Sequence, residues 1–124
     1  MLFVNGNFDE STELLNKIDA STNYASFPNI HSDIRCLKSL IRSERGEYDI
    51  ALDMSLKLLD LGEKDKNNYI LMKAHGALLH YYLRNENYSK ALDHCLKGLD
   101  YTIKIKEVQY LYFKIDDIAR LLFK

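Results

Sequence analysis

Residues 48–60, YDIALDMSLKLLD, return as residues 88–100, YSKALDHCLKGLD, with eight of thirteen positions identical at an offset of 40. A period of that length dictates fold more strongly than any local propensity, because each unit must stack on the next to bury its apolar face. One further step back sets Phe8 under Tyr48 and Tyr88, Ser11 under Ala51 and Ala91, and Lys17 under Lys57 and Lys97. GNFDES, GEYDIA and ENYSKA therefore occupy one register. Each unit carries a second apolar pattern upstream, Ile34, Leu37 and Ile41 in one and Ala74, Leu78, Tyr81 and Tyr82 in the next. Spacings of three and four place these residues on one face of a helix. Two helices per unit follow. The single proline, Pro28, shares its register with Asn68 and stands where a first helix begins, in the turn that tolerates a missing N–H. Arg45-Gly46 and Asn85-Glu86-Asn87 mark the tight turns inside each pair.

This arrangement resembles the tetratricopeptide repeats. In that family the first helix has a small residue, matched here by Ser39 and Ala119. An aromatic lies three residues before an alanine at the start of the second helix, matched by Phe8, Tyr48 and Tyr88 with Ala51 and Ala91. Later second-helix positions correspond to Ser55 and Cys95, then Leu58 and Gly98. Leu79 replaces the small residue in the middle unit, Arg42 occupies an aromatic site, and Ser11 replaces the alanine. The resemblance covers nearly the whole chain and implies an all-α, right-handed solenoid of about six to seven helices. Its divisions are a partial repeat over 1–29, repeats over 30–67 and 68–107, and an unpaired final helix over 108–124. Met1-Leu2-Phe3-Val4 falls in register with Leu121-Leu122-Phe123-Lys124, so the chain opens at the tail of one first helix and closes at the tail of another. Both ends are expected to leave apolar faces that a solenoid ordinarily caps. Two expectations follow: a fragment of a larger regulator, or self-assembly through the terminal helices.

Tetratricopeptide arrays bind peptides on the concave face formed by their first helices. Carried over by position, the resemblance assigns that face to Asp33, Cys36, Leu40, Ser43 and Glu44, then Lys73, Gly76, His80, Leu83 and Arg84, then Phe113, Asp116, Arg120 and Phe123. Lys73, Arg84 and Arg120 would hold a peptide terminus or acidic side chains, while Leu40, Leu83 and Phe123 receive apolar anchors. Helix pairs of this length are similar to the 40-residue variants in peptide-pheromone receptors and regulators of Gram-positive bacteria and their phages. No helix-turn-helix accompanies them here. The reading is a non-catalytic protein- or peptide-binding module with a regulatory role.

Charge and composition narrow the alternatives. Seventeen basic and eighteen acidic residues, spread without blocks, lack the footprint of a nucleic-acid or membrane binder. No stretch approaches the ~20 apolar residues of a membrane span, and no export signal is evident. Together with Cys36 and Cys95 standing apart without a CxxC pair, this predicts a cytoplasmic protein with reduced thiols. His31, His75, His80 and His94 form no metal-ligand pattern and read as solvated or core-edge residues, so neither a metal nor a cofactor is expected. Asp116 and Asp117 diverge by about 100° around a helix and read as a solvated acidic face. Tyr88 is assigned to the interhelical core, and no enzymatic constellation emerges.

Overall fold

The computed structural model describes residues 8–21, 23–106, 115–116 and 118–122, and these are all-α. Among the described residues five helices have both bounds assigned: α1 (Phe8–Ser21), α2 (Pro28–Glu44), α3 (Tyr48–Asp65), α4 (Asn68–Arg84) and α5 (Tyr88–Ile105). Residues 115–116 and 118–122 are also helical. Met1–Val4, Phe113, Phe123 and the side chain of Phe8 lie outside the described residues.

Helix boundaries follow from local chemistry. Pro28 sits in the first turn of α2, as its register with Asn68 predicts. Asn67 and Asn87 cap α4 and α5, accepting from the backbone N–H of Ile70 at 3.1 Å and of Lys90 at 3.2 Å. The helix ends share one device. Gly46, Lys66, Glu86 and Lys106, each twenty residues after the last, adopt positive φ of 80°, 50°, 59° and 58°. After α2, α3 and α4 the next N–H reaches back five residues to Arg42, Gly62 and Tyr82, which closes a Schellman turn. Consequently α2 and α4 begin and end 40 positions apart, and so do α3 and α5.

Successive helices pack against one another, and α2 additionally lies against α4. With α2, α3 and α5 all around it, α4 is buried on most of its circumference, at Ile70, Leu71, Met72, Ala74, Ala77, Leu78 and Leu79. Each such side chain contributes ~1.5–3 kcal/mol on burial where it is large and aliphatic. One apolar cluster joins Leu58, Ile70 and Ala74, with Tyr24, Cys36, Leu59 and Leu61 packed onto it. A second joins Leu79, Ala91 and Cys95, and receives Tyr82, Leu83, Ile118 and Leu121. Among the described residues no helix is long and apolar enough to cross a membrane.

Equivalent positions solve the helix crossing in two ways. Ala51 and Ala91 are fully buried, as are Ser55 and Cys95. At the α2–α3 crossing Ser39 Oγ bonds Ser55 Oγ at 2.7 Å and donates to the carbonyl of Ala51 at 3.1 Å. At the α4–α5 crossing the pair becomes Leu79 with Cys95, so the larger leucine meets a soft apolar partner in place of a hydroxyl. Tyr88 differs from its assignment to the core. It is 40% exposed, whereas Tyr48 is half-buried with its ring edge-on to Tyr81 at 6.4 Å. In Tyr88's register Tyr81 is replaced by Leu121, which has no ring to cover it.

Candidate functional site: the α2–α4 face

Because α2 and α4 share their length and lie in contact, residues at equivalent register come to one surface. At its first end Asp33 Oδ1 accepts from Tyr69 Oη at 2.7 Å and lies 3.3 Å from Lys73 Nζ. Lys73 also stands 5.7 Å over the Tyr69 ring, and Cys36 Sγ donates to the Lys73 carbonyl at 3.7 Å. Eleven residues along α2, about 16 Å at the helical rise, Glu44 forms the second end. Its two oxygens lie 3.0 Å from His80 Nε2 and 3.4 Å from Arg84. Between the ends lie half-buried Leu40 and Gly76.

Desolvation lowers the pKa of His80 and outweighs the opposing effect of Glu44, while Arg84 lowers it further. The ring is therefore predominantly neutral near pH 7, and its Nε2–H donates to Glu44. The acidic residues of α2 are thus matched by the basic and polar groups of α4. The face therefore carries Leu40 and Gly76 at its centre and ion pairs at its ends. A peptide could exchange into the end pairs through its own termini or charged side chains.

The remaining sequence-assigned residues are distributed differently. Ser43 is buried, at 1% exposure, and faces the interior. Leu83 leans onto the second apolar cluster. Asp116 and Arg120 pair with each other at 2.8 Å on the last helical segment, one turn apart. Cys95 is fully buried, in keeping with a structural role. Among the described residues no group of three His, Cys, Asp or Glu is arranged to hold a metal ion.

A second constellation was not legible from spacing, since its histidines stand nineteen residues apart. His75 on α4 and His94 on α5 bring their Nδ1 atoms to 3.1 Å. Their ring centres are 5.3 Å apart, so the nitrogens occupy the facing edges. Tyr82 runs parallel to His94 with ring centres at 5.4 Å, and Tyr101 parallel to His75 at 5.7 Å. Lys90 lies 5.4 Å over Tyr82 and Lys104 4.9 Å over Tyr101, closing the row at both ends. A cavity of about 370 Å³ opens beside it, lined by His75, Asp93, Leu96, Lys97, Asp100 and Tyr101.

Compared with known protein families, curated proteins and solved structures, the chain matches none.

Proposed function

We propose that this chain is a tetratricopeptide-like helical-hairpin module that binds a protein segment or short peptide and has no catalytic role of its own. The observation that supports the reading is the α2–α4 contact, where two helices of equal length bring residues of the same register onto one face. Its apolar centre at Leu40 suits a hydrophobic anchor, and its ion pairs at Asp33–Lys73 and Glu44–Arg84 suit exchange with a charged ligand. A regulatory role in a bacterial or phage signalling system rests on the resemblance of the 40-residue units to peptide receptors.

The test is selection of binders from a displayed library of random peptides, followed by anisotropy titration of the selected sequences against variants. Leu40→Arg and Arg84→Glu are expected to weaken binding at least about tenfold, the effect of losing ~1.4 kcal/mol at an anchor. Equal affinity for both variants and the parent chain contradicts this assignment of the face.

Self-association is a second reading, favoured by apolar residues at both ends of the helix array. Leu14 is 49% exposed and Ile18 also lies open on α1, and Leu122 is 64% exposed on the last segment. Sedimentation over a hundredfold concentration range is expected to show a rising mass that Leu14→Glu or Leu122→Glu abolishes. A constant monomer mass counts against this reading and leaves the peptide-binding one standing.

A further inference from the structure

We propose that the His75–His94 contact is an acid-sensitive clasp that holds α4 to α5 while at most one added proton is present, and that double protonation releases the helical segment 118–122 from its seat.

The geometry dictates the proton arithmetic. With Nδ1 facing Nδ1 at 3.1 Å, one ring must donate its N–H and the other must offer a lone pair. A first added proton goes to the outer nitrogen of the donating ring. The bond survives and becomes charge-assisted. A second proton can bind only the accepting Nδ1, which removes the lone pair that makes the bond and sets two cations edge to edge.

Among the described residues, the carboxylates around the pair are each already engaged by a cation or a polar group. On α5, Asp93 is engaged by Lys97 at 3.1 Å and Asp100 by Lys104 at 3.2 Å, while Lys90 and Lys104 cover the outer tyrosines. From α2, Asp33 and Glu44 are committed to Lys73, and to His80 with Arg84. From α3, Asp49 acts on Tyr81 beside Tyr82. On the last segment Asp116 pairs with Arg120. Burial disfavours charge on His94, Lys97 and then Lys90 add to that effect, and Asp93 opposes it without reversing it.

The fold does not require this row. At equivalent positions of the α2–α3 pair stand Arg35, Arg42, Met54 and Leu61, around a smaller cavity of about 230 Å³ lined in part by Arg35, Met54 and Leu61. A link to the last segment exists in Tyr82, which lies parallel to His94 and also packs on the cluster that seats Ile118 and Leu121. Parting the histidines therefore disturbs the floor beneath that segment. The proposal stands independently of peptide binding.

Backbone amide exchange in segment 118–122 of the full chain, corrected for intrinsic rate, reads this out between about pH 7.5 and about pH 5. Protection is expected to fall on the order of tenfold in the parent chain, stay level in His94→Met, which installs the residue found at position 54, and fall as in the parent in His80→Gln. An unchanged acid response in His94→Met, or none in the parent chain, overturns the proposal. Imidazole ¹⁵N shifts of the parent chain at about pH 7.5 give a test that needs no variant. One protonated and one unprotonated Nδ1 are expected, and two unprotonated Nδ1 atoms overturn it.

Discussion

At the residue scale, a close approach decides the role of Gly62. A Cβ placed there lies 2.9 Å from Leu71 Cγ, 3.0 Å from Leu71 Cδ2 and 3.1 Å from the Leu71 backbone nitrogen, so α3 and α4 can meet at this point only without a side chain. Helix propensity alone favours alanine by ~1 kcal/mol. Overpacking against a backbone atom costs ~1–3 kcal/mol and wins, so Gly62→Ala is expected to lower stability in urea unfolding. A gain in stability would show that the helices separate freely. Leu79→Ala should cost ~2–5 kcal/mol through the cavity left above Cys95. Tyr88→Ala should cost clearly less, because two-fifths of the ring's residue is already solvated. The same unfolding experiment ranks the two, and a larger loss for Tyr88→Ala contradicts the packing described. Repetition marked Tyr88 as a core position. Its exposure depends on the residue that covers it from the following helix, Leu121 in place of a tyrosine, and the period of the sequence does not reveal that difference.

At the element scale, the left-handed residues at 46, 66, 86 and 106 punctuate the helices. Glycine takes this conformation without steric cost, and only the first of the four is glycine. Glu86→Gly, which copies the residue at position 46, is expected to raise stability by ~1 kcal/mol, measured by thermal or urea unfolding. No change, or a loss, would mean that the Glu86 side chain contributes more than its backbone costs. Starts of helices were readable before the structure: Pro28 in its shared register with Asn68, and the turns at Arg45-Gly46 and Asn85–Asn87. The ends at Lys66 and Lys106 carry no such signal, since lysine rarely occupies this conformation and the turn is held by backbone bonds such as Asn67 N–H to the Gly62 carbonyl. Much the same holds for the candidate face. Its members could be placed by helix register, but the partnerships of Glu44 with His80 and of Asp33 with Tyr69 join residues 36 positions apart, and a register gives no distances.

At the scale of the whole molecule, α4 is the hub, and His80 and His94, whose pKa values are depressed, belong to its surroundings. His94 is lowered chiefly by desolvation and then by Lys97, and His80 chiefly by desolvation. In the unfolded chain each titrates near 6.5. A base whose folded pKa lies below its unfolded value binds its proton first in the unfolded chain. Stability is therefore full above that value and is lost as pH falls through it toward the folded one. The melting temperature should drop between about pH 7 and about pH 5, less steeply in His80→Gln and in His94→Met. A melting temperature that rises on acidification in this window would contradict the burial of both rings.

The α2–α4 face is the surface proposed to meet a partner. Amide chemical-shift mapping addresses this, with the uniformly labelled chain titrated by a peptide selected from a random displayed library. Shifts are expected to concentrate at Asp33, Cys36, Leu40, Lys73, Gly76, His80 and Arg84. Shifts centred on the solvent-facing side of α3 and α5, at Leu56, Lys57, Leu96 and Lys97, would contradict it.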